Sequence, residues 1–193
     1  PPINDTRCIE VTSTNNFPTI SVLPYDAAFS CADESGNIFV SCVHPTNSNV
    51  IQVFGNGNFG KPIHVIPIVC DAFGGFVLDN CGQLIIADSM KHCIRIYNRA
   101  DGSAVCTIGI SGEKGSGKKH FRRPISVALD PDGNVVVHDS GNNRLKVHCI
   151  VDGSFVRTVY KQKESLGAGC VVFDNAGNLV FSDPHCIRVL DYK

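Results

Sequence analysis

The sequence predicts an all-β fold, a β-propeller of four-stranded antiparallel blades, and two observations predict it. The frame Asp-x-x-Gly recurs at Asp33/Gly36, Asp79/Gly82, Asp130/Gly133 and Asp174/Gly177, in steps of 46, 51 and 44 residues. Each frame lies between short apolar runs, such as P-I-S-V-A-L before Asp130 and N-V-V-V-H after Gly133. Repeats of roughly 40–50 residues built from such strands and tight turns mark propeller blades.

The third repeat shows the plan of one blade. Strand a, P-I-S-V-A-L, ends in D-P-D-G-N, where Pro131 presets φ at the first corner and Gly133 takes the left-handed conformation. Strand b is N-V-V-V-H, followed by the turn D-S-G-N-N. Strand c, R-L-K-V-H, alternates with period two, and strand d, F-V-R-T-V, follows the turn at Asp152-Gly153. The other repeats match with defects. Blades are expected at residues 25–70, 71–109 and 121–160, with a partial blade at 167–193 that stops after strand c. Residues 1–24 supply N-D-T-R-C-I-E-V and T-I-S-V-L as outer strands of a preceding blade. About four blades are thus represented in a single domain spanning 1–193. Two spare strands for one vacancy point to part of a larger ring.

Composition narrows the function. A chain of 193 residues with 43% hydrophobic content fills a real core, and a net charge of −1 gives no global pull toward nucleic acid or anionic lipid. No apolar run approaches the roughly 18 residues of a membrane span. Neither DNA nor a membrane is therefore an expected partner, and no cofactor is expected. The first residue is Pro, so the lack of a signal peptide says little about secretion. The ten cysteines contain no C-x-x-C and mostly sit inside apolar strands. Cys8, Cys93 and Cys186 occupy one repeat position, which in separate blades makes them poor partners for each other. Reduced thiols in a cytoplasmic protein are expected.

Over residues 25–190 the chain resembles the NHL-repeat family of β-propellers. The match rests on G-S-G-K-K-H-F-R-R-P-I-S-V-A-L-D-P-D-G-N-V-V-V-H-D-S-G-N-N-R-L-K-V, strongest within residues 121–159. The resemblance implies six blades in the closed ring and a face that binds proteins or RNA hairpins. Asp139 is expected to cap the b–c turn and pair with Arg144, a structural role in which charge-assisted bonds fix the hairpin. Asp88 and Asp183 repeat the Asp, while Cys93 and Cys186 replace the Arg. Those two carboxylates are expected to rely on backbone donors alone.

Antiparallel order places the b–c turns and the d–a connections on one face. That face collects Lys91, His92, Asn142, Asn143, Pro184, His185 and the connection Gly109–Pro124. The connection carries Lys114, Lys118, Lys119, Arg122 and Arg123 against Glu113 alone. The expected function is a non-catalytic scaffold that binds a protein partner through this face. The alternative is RNA binding through the basic 114–123 loop, since flexible lysines near backbone N–H groups attract phosphates. Phe121 is the loop's one aromatic residue and the family pattern buries it, which disfavours readout by base stacking. A second alternative is a metal-dependent lyase or hydrolase. His92 and His185 share a b–c position, but a catalytic zinc needs a third ligand, and His138 reads as a packed core residue. The stretch G-E-K-G-S-G-K-K lacks the hydroxyl residue and the helix of a phosphate loop.

Overall fold

A computed structural model describes residues 26–43, 49–58 and 60–192. The outer strands expected within 1–24 lie outside the described residues, as do Cys8 and His44. The chain divides into two compact units, one running to Val69 and including Ala100–Gly102, the other comprising Cys70–Arg99 and Ser103 onward.

The first unit is one antiparallel sheet in the order β1 (Asp26–Ala32), β2 (Ile38–Val43), β3 (Asn49–Phe54), β4 (His64–Ile68). Phe39, Ile51, Val53 and Ile66 are buried in it. Cys42 is buried as well, and burial pushes its thiol up to about 11.

The second unit holds three sheets, each pairing consecutive strands. They are β5 (Phe73–Leu78) to β8 (Ala104–Ile108) through β6 (Gln83–Asp88) and β7 (Cys93–Asn98); β9 (Pro124–Leu129) to β12 (Phe155–Lys161) through β10 (Val135–Asp139) and β11 (Arg144–His148); and β13 (Val171–Phe173), β14 (Leu179–Ser182) and β15 (Ile187–Leu190). These are the second, third and fourth blades in chain order. One short 3-10 turn, Ser140–Asn142, follows β10.

The Asp-x-x-Gly frame works the same way in every blade. Oδ1 of Asp130 accepts from the amides of Asp132 (3.0 Å) and Asn134 (2.7 Å), and its Oδ2 accepts from the Asn134 side chain. Asp33 and Asp174 make the matching set, and Asp79 makes the two backbone bonds. Gly133 sits at φ 80°, a conformation glycine adopts without steric cost.

Both faces of β10 are buried. Val135 and Val137 pack with Ile85, Ile94, Ile96 and Phe121, whereas Val136 packs with Leu145, Leu179 and Phe181. Continuous burial explains why strand b reads V-V-V rather than alternating, and each such side chain contributes about 1.5–3 kcal/mol. The inner strands lie close together. A Cβ on Gly74 would stand 2.9 Å from the Ile125 carbonyl oxygen, so only glycine lets β5 approach β9. On the other side, the Val171 amide donates to Ser126 Oγ at 3.1 Å. These contacts hold the ends of the strands, and hence the turns beyond them, at fixed spacing.

Candidate interaction face

Each blade of the second unit has an aspartate at the end of strand b, or just past it at Asp183, that organises its b–c turn. In the third blade, Asp139 is fully buried. Its Oδ2 accepts from Arg144 Nε at 2.7 Å and from the Asn142 side chain at 2.8 Å, while Oδ1 accepts from the Arg122 amide at 2.7 Å. One carboxylate therefore ties strand c, the b–c turn and the incoming connection together.

Asp88 and Asp183 do not rely on backbone donors alone, which corrects the sequence expectation. Arg95 Nε donates to Asp88 Oδ2 at 2.8 Å, and Arg188 Nε donates to Asp183 Oδ2 at 2.6 Å. The physical reason is the strand period. Residues two apart on strand c share a face, so an arginine two places beyond Cys93 or Cys186 reaches the same carboxylate. Backbone donors contribute too: the His185 and Cys186 amides bond Asp183 Oδ1. The His185 amide, with Arg188, holds the Asp183 carboxyl well below the usual carboxylate range.

The third blade carries a cation at both of these strand-c positions, Arg144 and Lys146, beside one carboxylate. Lys146 is fully buried. Its ammonium donates to the carbonyls of Gly117, Lys118 and His120 at 2.5–3.4 Å. It also lies 4.5 Å from the centroid of Phe121 and 5.2 Å from that of Phe155, within cation–π range. Burial, with the Arg144 charge beside it, pulls its pKa down to about 8. Arg144 adds bonds to the carbonyls of Ser116 (2.8 Å), Gly117 (3.3 Å) and His120 (3.1 Å). The glycine-rich connection is clamped by its own carbonyls onto two buried cations.

Further bonds join this connection to both neighbouring turns. The Gly112 amide donates to the Lys91 carbonyl at 2.7 Å, and the Arg123 amide donates to His92 Nδ1 at 3.1 Å. The Gly141 amide bonds the Arg122 carbonyl, Ser140 Oγ bonds the Arg123 carbonyl, and the Asn142 side chain bonds the Gly115 carbonyl. Lys91, His92, Arg122, Arg123 and Asn142 are thus brought together, with Lys114, Lys118 and Lys119 exposed on the clamped loop. Lys91 also forms an ion pair with Asp71 at 3.0 Å. Asn143 turns toward the next connection, where its Oδ1 accepts from the Leu166 amide and its carbonyl from the Gln162 amide.

That second connection brings Lys161 and Lys163, both exposed, to the same rim. The sequence reading missed them, although the alternation K-Q-K beyond strand d marks them. His92, Arg123 and Asn143 are the described non-glycine residues with positive φ, at 56°, 51° and 52°. Left-handed backbone costs a non-glycine residue about 1–3 kcal/mol and persists where surrounding bonds over-determine it.

His92, His138 and His148 serve packing and positioning. His92 Nδ1 is occupied by the Arg123 amide. Buried His138 bonds the Gly169 carbonyl at 3.2 Å. Buried His148 bonds the Gly153 carbonyl and lies between the rings of Phe121 and Phe155, and burial pulls its pKa down to about 4. Among the described residues, no three His, Cys, Asp or Glu side chains are grouped to hold a metal ion.

Residues 121–147, from Phe121 through the clamp residues to β11, match the NHL repeat family. The chain carries an NHL repeat. Propellers with NHL repeats generally mediate protein interactions. NHL-repeat-containing protein 4 of Mus musculus is 28% identical over 125 residues, covering 64% of this chain and 75% of the relative. Among solved structures, a catalytically inactive virginiamycin B lyase from Staphylococcus aureus with quinupristin aligns at TM-score 0.63 and 12% identity, over 96% of this chain and 57% of that one. A protein of unknown function from Bacteroides caccae aligns at TM-score 0.66 and 13% identity, over 86% of this chain and 59% of that one. The chain therefore spans less than two thirds of either structure. At such identity these likenesses show the fold, an all-β propeller with four blades represented.

Proposed function

We propose that this chain is a non-catalytic platform that binds a protein partner through the rim formed by the b–c turns of the second and third blades and the 109–124 and 161–166 connections. The observation that supports it best is the clamp. Backbone and side-chain bonds fix the loop that carries the exposed cations, so the rim meets a partner with little ordering cost. The NHL repeat within residues 121–147 supports the same reading. The four blades are proposed as part of a six-bladed ring, and the share of the solved propellers that the chain covers is consistent with this. A cytoplasmic location is part of the proposal, supported by Cys42 and Cys93 held as buried thiols.

RNA binding on the same rim is the second reading, favoured by the exposed Lys114, Lys118, Lys119, Arg122 and Arg123. The metal-dependent enzyme reading loses support from His92, whose Nδ1 already accepts the Arg123 amide. The test is site-specific photo-crosslinking in a native cell extract. A photoreactive residue at Lys119 is expected to capture protein, and one at Asp152, in the opposite c–d turn, is not. Equal capture at both positions, or capture of RNA alone at Lys119, overturns the proposal.

A further inference from the structure

Three consecutive carbonyls of the clamped turn, those of Ser116, Gly117 and Lys118, are directed at the buried Arg144 and Lys146. In a trans peptide the N–H stands opposite the carbonyl of the same unit, and the described residues contain no cis bond. The amides of Gly117, Lys118 and Lys119 are therefore directed outward. All three residues are exposed, and no acceptor meets these amides among the described residues.

A second observation concerns charge. Arg144 and Lys146 share a single carboxylate, Asp139, so a net positive charge is buried directly behind the turn. Polarised peptide units carry that field to the outer N–H groups, as in backbone anion nests. Exposed Lys114, Lys119, Arg122 and Arg123 surround the turn, and Lys161 and Lys163 extend the positive surface along the next connection. Glu113, 3.7 Å from His120, and Glu164 are the acidic residues of these two connections.

We propose that the outer face of the 116–119 turn is an anion-binding site that takes carboxylates of an acidic segment of a partner protein. This rests on the platform reading above and names the chemistry of the partner. The cations are spread over two connections, which suits several carboxylates along an extended segment better than a single phosphate. Base stacking has no platform here. Phe121 is buried, Phe155 lies half-buried beneath Lys118 and Lys146, and the second unit exposes no Phe or Tyr ring among the described residues.

The experiment is a titration of the isotope-labelled full chain with an octaglutamate peptide at low salt, followed by amide NMR. The Gly117, Lys118 and Lys119 amide resonances are expected to move together and saturate. Lys119→Glu, at an exposed position, is expected to weaken binding about tenfold or more without lowering the melting temperature. Lys146→Met leaves the exposed charge intact and is expected to weaken binding as well, because it removes the buried field and frees the turn. Stationary resonances at these three amides, or unchanged affinity in Lys119→Glu, would refute the site. Tighter binding of an oligouridine of matched charge would refute its assignment to an acidic protein segment. If crosslinking at Lys119 still captures protein while octaglutamate fails, this site falls and the platform reading stands.

Discussion

The second and third blades end strand b in the same way and treat the connection between them differently. In the second blade, Asp88 is bonded by one strand-c cation, Arg95, whose side chain stays 23% exposed, and the pair secures the b–c turn. In the third, Asp139 stands beside two cations. Arg144 is 10% exposed at its side chain and Lys146 is sealed, and their surplus donors reach across to the carbonyls of the 116–120 turn. One added charge on the same strand face changes a turn lock into a loop clamp. Solvation decides how strong each is. An ion pair open to water contributes little, whereas a buried one is costly to break because the survivor keeps its charge without a partner.

The largest expected effect that would break this contrast follows from Asp139→Ala. It leaves Arg144 and Lys146 buried without a carboxylate and is expected to cost about 3–5 kcal/mol, read as a shift of the urea unfolding midpoint. Asp183→Ala, whose partner Arg188 is 41% exposed at its side chain, is expected to shift that midpoint far less. Equal losses would mean that burial does not separate the blades.

Next comes pH. His148 takes its proton near 6.5 when unfolded and near 4 when folded, and burial moves His138 in the same direction. The folded state thus favours neutral imidazoles. The His148 contribution is fully present above pH 6.5 and is lost as pH falls toward about 4, with a slope approaching about 1.4 kcal/mol per pH unit. Lys146 contributes with the same sign between pH 8 and 10.5, opposed above pH 9 by the thiols of Cys31 and Cys42, which burial raises to about 12 and about 11. Denaturant midpoints across pH, with His148→Phe flattening the acid limb, check both limbs.

Lys146→Met sharpens the comparison at the loop. Exchanging a buried cation for an apolar chain of similar length is expected to change global stability by less than about 2 kcal/mol. Hydrogen exchange at the bonded amides of Gly115 and His120 should nevertheless accelerate several-fold. The smallest effect is expected for Arg95→Lys, below about 1 kcal/mol, because beyond its b–c turn this cation reaches the connection through a single long bond, 3.5 Å to Ser111 Oγ. A larger loss there would show that the bond to Ser111 secures the connection as the third blade's clamp does.

The fold was legible in the sequence because its determinants are local. Each Asp-x-x-Gly turn closes within five residues, and strand b reads as apolar wherever both its faces are covered. Which residues occupy the b–c turns and the 109–124 connection also followed, since antiparallel order fixes the end of the sheet at which they emerge. What those residues hold did not follow. Column-by-column comparison of the repeats put Cys93 and Cys186 opposite Arg144 and so hid Arg95 and Arg188, which reach the aspartate from the next same-face position. The clamp was hidden for another reason. Its acceptors are backbone carbonyls 26–29 residues from Lys146, and main-chain atoms leave no signature in side-chain identity. A run such as G-S-G-K-K reads as loose until the cations that gather it are found.

Because Val135 and Val137 serve one core while Val136 serves another, β10 is a wall shared by two rooms. Removing the second or the fourth blade strips one of its sides and leaves the third blade half-wetted. The three sheets of this unit are thereby bound into one cooperative melting event, and a fragment that keeps the third blade alone is expected to lose its native hairpins.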